Sequence, residues 1–138
     1  MAAVSESNVD LHHRSIDAVN RRDLEAFLAL SDPDVEVVSR IVAVEGGLRG
    51  HDGVRRWWKS WFESFPDYTI EVLAVRDLGD VTIATMRAVG HGAGSELPFE
   101  DNIWLACRWR DGRCTWWQVF RDEAEAIEVV RTRNAETA

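Results

Sequence analysis

The sequence predicts an α+β fold in one domain, a curved antiparallel sheet with helices packed in its concave face. Three observations lead there. The 138 residues are 46% hydrophobic and 29% charged, enough apolar material for one real core and too much for a disordered chain. The second half holds four β-rich runs separated by short turns, including Gly79-Asp80 and Asp111-Gly112, and short turns join antiparallel neighbours. The other segments carry helical spacing, strongest over 50–65.

Taken in order, Ser5 or Ser7 caps a first helix that runs to about Asn20, with Val9, Ile16 and Val19 near helical spacing. Arg21 and Arg22 break the pattern. Asp23 caps a short second helix over 24–30, which cannot continue through Pro33. Residues 34–44 are rich in β-branched side chains and read as a first strand closing at Gly46 and Gly47. Gly50 and His51 open a third helix with Asp52 as its expected N-cap. There Val54, Trp57, Trp58, Trp61 and Phe65 fall at i, i+3, i+4, i+7 and i+11, one apolar face that stops before Pro66. Strands follow over 68–78 and 81–90, then a glycine-rich loop from Gly90 to Gly94. Residues 99–110 and 113–122 form a hairpin around Asp111-Gly112, because Gly accepts the positive φ of a tight turn. A last helix carries Ala124, Ala126, Ile127 and Val130, ahead of a polar tail.

A net charge of −8 argues against nucleic acid as partner, since phosphate binding needs a basic surface. No apolar run approaches the ~18 residues of a membrane helix, and the first residues lack the basic and apolar regions of a signal peptide. A cytoplasmic protein with no membrane partner is therefore expected. Cys107 and Cys114 flank the hairpin turn and are expected to stay reduced, as small buried hydrophobes.

Chemistry-bearing residues concentrate in the hairpin, which holds four of the seven tryptophans, both cysteines and Asp101. Asp101, Ile103, Leu105, Cys107 and Trp109 share one face of their strand. A carboxylate heading an apolar row has its pKa raised by desolvation, which suits a general acid or a neutral hydrogen-bond donor. The competing reading puts Asp101 at the strand's wet end, beside Glu100 and simply hydrated. His91, between Gly90 and Gly92, is the best placed of four histidines to act near neutral pH, on a loop that either overhangs a cavity mouth or lies free on the surface. His12, His13 and His51 read as packing or capping residues. No His, Cys and carboxylate spacing resembles a metal site, no phosphate-binding glycine motif is present, and no cofactor is expected. The tryptophans cannot all be solvated without exposing a large apolar patch. Trp116 and Trp117 face opposite sides of the sheet, with Trp117 beside Thr115 and Val119. An outer row of Trp104, Trp116 and Phe120 would suit a dimer interface.

Several segments together resemble a SnoaL-like domain of the nuclear transport factor 2-like superfamily. They are NRRDLEAF at 20–27, DPDVE at 32–36, LRGHDGVR at 48–55, Gly79-Asp80, RDGR at 110–113 and FRDEAEA at 120–126. The superfamily includes ketosteroid isomerases, limonene-epoxide hydrolases and polyketide cyclases. The resemblance implies a cone-shaped domain with one deep pocket and, often, a homodimer formed through the sheet. It implies a pocket shaped by Ser39, Trp57, Trp61, Ile103, Trp117 and Val119. It says little about the reaction, because one scaffold hosts unrelated chemistries.

Two of the family's enzymes can be compared position by position. Where an epoxide hydrolase carries its catalytic acid this chain has Val119, and the companion Arg and Asp positions fall near Met86 and Ala88, so that machinery is absent. At the isomerase's base position residues 42–47 offer only Glu45, in a glycine-flanked loop where a solvated carboxylate is expected. The isomerase's protonated oxyanion-hole Asp corresponds approximately to Asp101, or by one residue to Asn102. The expected function is binding of a hydrophobic or aromatic small molecule, with cofactor-free isomerase, cyclase or hydratase chemistry resting on Asp101 and His91. The alternative is a non-catalytic ligand-binding or dimeric interaction module.

Overall fold

The computed structural model of the chain describes residues 7–39 and 48–137, and Glu45 and the turn at Gly46 and Gly47 lie outside them. Ser7 caps α1 (Asn8–Asn20), its hydroxyl accepting the Asp10 N–H at 3.1 Å. Asp23 caps α2 (Leu24–Ala29) through the Ala26 N–H, also at 3.1 Å. These caps satisfy amides that have no partner inside the helix.

β1 (Ser31–Val38) begins three residues before the expected start and runs through Pro33. Proline is tolerated there because the pairing to its neighbour is irregular between Ser31 and Glu36, so no ladder bond is lost. β2 (Leu48–Arg49) is too short to announce itself in a pattern. α3 (Gly50–Ser64) starts from Arg49, with no side-chain cap. Asp52, the expected cap, lies inside the first turn and pairs with Arg55 at 3.1 Å. The entry is made by Gly50 at φ +73, where a Cβ would stand 3.0 Å from the Pro33 carbonyl oxygen.

The remaining elements are β3 (Thr69–Asp77), β4 (Val81–His91), β5 (Pro98–Arg110), β6 (Arg113–Phe120) and α4 (Glu123–Thr137). The residues expected as a polar tail thus continue α4. Asp111 and Gly112 both have positive φ, +52 and +78, the pair of values a type I′ hairpin turn requires. The sheet order is β2-β1-β6-β5-β4-β3. Every neighbouring pair is antiparallel except β1 with β6, which run parallel. No turn joins those two strands, so nothing local sets their relative direction.

The register is interrupted in β3–β4 and in β5–β6, and such bulges bend and twist a sheet. In β6, Trp116 faces Arg108 while Cys114 faces Trp109, leaving Thr115 as the extra residue. One extra residue reverses the alternation, so Cys114 joins Trp117 on the same face.

The two faces are covered differently. Facing α1, α2 and α3, the main core takes Ala84, Met86 and Ala88 of β4 with Ile103, Leu105, Cys107 and Trp109 of β5. On the other face α4 lays Ala126 and Val130 over Val81, Ile83, Ala106, Trp116 and Phe120. Arg133 anchors that helix, bidentate to Glu36 at 3.1 and 3.3 Å, with its guanidinium 4.4 Å from the Trp116 ring centre. The outer row expected as a dimer surface is therefore largely covered within one chain: Trp116 and Phe120 are each only 2% exposed. Sequence alternation places these residues on the outer face, and the last helix, legible as a helix through Ala126 and Val130, is what covers them.

Candidate functional site

Between the helices and the sheet lies a cavity of about 350 Å³. Its position follows from how the first helices dock. The Asn20 side chain pairs with the backbone of Ile70 as another strand would, donating to the carbonyl at 2.8 Å and accepting from the N–H at 2.9 Å. Arg22 reaches the carbonyls of Pro66 and Tyr68 at 3.0 and 2.6 Å. The NRR segment at 20–22 thereby fixes the α1–α2 corner against the start of β3 and leaves open space deeper in the cone. α3 supplies one wall, where Trp57 meets Trp117 of β6 edge-on at 4.8 Å and stacks with Trp61 at 6.3 Å.

Ser39, Trp57, Trp61, Ile103, Trp117 and Val119 all line this cavity. Sequence reasoning did not find Tyr68, the only tyrosine in the chain, which also lines it. Tyr68 is buried, with Trp61 at 4.9 Å and Phe99 at 6.3 Å. Burial, and then the negative charge of Asp101, push its hydroxyl well above the usual tyrosine range, so it stays a neutral donor. The available signal was its place immediately after Pro66-Asp67, at the head of a strand.

Asp101 lines the cavity at its open end, together with Glu100 and Arg121. All three are exposed, so the apolar burial expected around Asp101 is not found. The cause is its place near the start of β5, two residues before the first fully buried position, Ile103. Glu100 is bound to Arg87 at 3.1 Å. His91 does not reach the cavity. It ends β4, and Asp67 holds it through both the backbone N–H, at 2.8 Å, and Nδ1, at 2.6 Å. The two residues expected to act together are thus in separate places: Asp101 at the cavity rim, His91 beside a surface depression.

The deep end is built from a buried polar chain that sequence reasoning did not assemble. The Trp109 indole N–H donates to the Thr82 hydroxyl at 2.8 Å. The same hydroxyl is hydrogen-bonded to His12 Nδ1 at 2.7 Å, and His12 Nε2 lies 3.8 Å from Cys107 Sγ. Cys114 in turn donates to the Trp116 carbonyl at 3.2 Å. Both thiols are free, buried and part of the cavity lining. Burial, with Cys114 as hydrogen-bond neighbour, raises the Cys107 thiol far above its usual range, so it stays protonated. Burial and the nearby His13 lower the His12 pKa to about 3, keeping the ring neutral. The site offers an apolar, aromatic-walled volume, weak donors at its base and charged groups at its rim. Among the described residues no group of three His, Cys, Asp or Glu is placed to hold a metal ion. No helix among the described residues is long and apolar enough to cross a membrane.

Comparison with known proteins agrees with this architecture. The family model of the SnoaL-like domain matches residues 12–117. No functionally curated protein matches the chain. Among solved structures, IdmH, a putative polyketide cyclase from Streptomyces antibioticus, is similar at 25% identity and TM-score 0.74, over 86% of this chain and 94% of that one. An NTF2-like protein of unknown function from Burkholderia pseudomallei aligns at TM-score 0.77 and 20% identity, over 90% and 97% of the two chains. A putative SnoaL-like polyketide cyclase from Jannaschia aligns at TM-score 0.73 and 16% identity, over 91% and 95%.

Proposed function

The chain belongs to the SnoaL-like domain family, and from that membership and its cavity we propose that it binds a hydrophobic or aromatic small molecule between α3 and the sheet. One observation carries the reading: an aromatic-walled volume of about 350 Å³ whose charged groups stand only at the rim. A concave apolar site with a few placed polar groups is the usual form of a small-molecule pocket. The similarity to IdmH, a putative polyketide cyclase, supports a polyketide-like ligand class.

The chemistry proposed for such a ligand is cofactor-free proton transfer of isomerase, cyclase or hydratase type. Tyr68 supplies a neutral hydroxyl as donor to a ligand oxygen, and Asp101 exchanges a proton at the rim. The second reading, a non-catalytic binding module, is supported by the exposure of Asp101 in the free protein.

A thermal-shift screen of steroids, terpenoids and polyketide-like aromatics tests the binding. A ligand at one hundred times its Kd stabilises by about 3 kcal/mol and raises the melting temperature. No shift across the panel refutes a pocket of this kind. For any ligand found, recovery of a changed product, lost in Asp101→Asn while binding is kept, supports the enzyme. Unchanged recovery supports the binding module. A homodimer across the sheet, now with α4 in the contact, is part of the proposal, and a light-scattering mass near 15.7 kDa at micromolar concentration refutes it.

A further inference from the structure

The Asp67–His91 pair carries more chemistry than a loop tie needs. Asp67 lies in the turn after α3 and accepts from His91 through both oxygens. Because the carboxylate only accepts, His91 Nδ1 bears the proton of the neutral ring, and the lone pair is on Nε2. Nε2 has no hydrogen-bond partner among the described residues, and the side chain is 43% exposed. The same bonds to His91 hold the Asp67 carboxyl below its usual range. An imidazole oriented by a carboxylate with its second nitrogen open is the arrangement of a general base.

Its position matters as much as its geometry. The depression beside His91 and the apolar cavity share only two lining residues, Phe99 and Glu100. Glu100 is exposed and tied to Arg87, so the Phe99 ring is the partition. The ring rests on Phe65 at 5.2 Å and against Gly90, where a Cβ would stand 3.2 Å from its edge and 3.0 Å from an Asp67 oxygen. Glycine at 90 therefore lets the ring and the carboxylate approach the same piece of backbone.

We propose that Asp67 and His91 form a polar subsite of the ligand cavity, reached past the Phe99 ring, where His91 Nε2 takes a proton from a phenolic or enolic hydroxyl on an aromatic ligand. The proposal rests on the reading of the cavity as a ligand site. In the step, the ligand O–H bond breaks, its electron pair stays on oxygen as a phenolate or enolate, and the proton forms the imidazolium. Asp67 is the positioning residue, fixing the ring and stabilising its charge. Among the residues lining the depression the charged groups besides His91 are Asp67 and Glu100, with Arg87 bound to Glu100 and Arg22 close enough to Asp67 to interact with it.

The test uses the full chain and a nitronaphthol, whose neutral and ionised forms absorb differently. Binding is read by tryptophan quenching, ionisation by absorbance at one pH. The wild type binds the probe and raises its ionised fraction. His91→Gln lowers the ionisation constant of the bound probe about tenfold, one pKa unit, and weakens binding by no more than the same factor. Asp67→Asn gives a smaller drop in the same direction, and Phe99→Ala, which removes the partition, gives a rise. Equal ionisation in wild type and His91→Gln, or a loss of affinity far beyond about tenfold in a folded His91→Gln, overturns the subsite. If His91→Gln does not fold, Asp67→Asn and Phe99→Ala decide by the same readout. A wild type that binds no nitronaphthol overturns the subsite, and the failure extends to the cavity reading only if the thermal-shift panel is also without effect.

Discussion

His12 should make this protein acid-sensitive in a way that one substitution removes. The residue is fully buried and hydrogen-bonded to Thr82, and its pKa in the folded state is lowered to about 3 from 6.5. With the folded value below the unfolded one, the unfolded chain binds more protons once the pH drops below 6.5. Stability from this group is complete above that pH and falls as the pH drops, until the folded value is reached. Between about pH 8 and pH 5 the loss is about 2 kcal/mol, from ~1.4 kcal/mol per pKa unit. The figure barely changes if the folded value is a unit higher, because at pH 5 the buried ring is neutral either way. His12→Asn does not titrate in this range and keeps an amide within reach of the Thr82 hydroxyl. At pH 8 it is less stable than wild type, since it leaves the Cys107 end unfilled. Its loss between pH 8 and pH 5, followed by urea unfolding and tryptophan fluorescence, is smaller than the wild type's by about 2 kcal/mol, because the carboxylates common to both proteins cancel. Equal pH dependence in the two proteins, or an NMR titration of His12 near 6.5, refutes the reasoning.

Other outcomes follow from the same packing. Cys107 and Cys114 should resist a thiol reagent such as dithionitrobenzoate in the folded protein and react fully in denaturant, and rapid labelling of the native chain would contradict their burial. Asp23→Ala should lower stability by about 1 kcal/mol by uncapping α2, and an unchanged urea midpoint would show that the cap bond is not needed. Gly50→Ala meets both a positive φ and the Pro33 carbonyl at 3.0 Å, so a loss of about 1–3 kcal/mol is expected, and a neutral result would mean that the α3 entry rearranges freely. Arg133→Ala should loosen α4 over Trp116, seen as faster amide exchange in 123–137 while β4 and β5 stay protected.

The fold, and a good part of the cavity wall, could be read from local rules. The α3 stripe at Trp57 and Trp61, the alternation of β5 through Ile103 and the Asp-Gly turn each depend on spacing over a few residues, and spacing is what a chain displays directly. The family segments were legible as a pattern, but their cause is long-range: Asn20 and Arg22 dock the helical corner on β3 across 50 and 46 positions.

What lay beyond the sequence was decided by contacts between distant residues. Thr115 bulges and carries Cys114 to the cavity face, although nothing in Arg113-Cys114-Thr115 distinguishes a bulge from regular strand. His12 and Thr82 meet across 70 positions, and His91 finds Asp67 across 24. The exposure of Asp101 depends on how far the helices reach along β5, and the covering of Trp116 on where α4 comes to rest. Periodicity shows which face a side chain shares with its neighbours along the strand. Only the assembled layers determine how deep that side chain lies, and with which partner, and those two quantities set its chemistry.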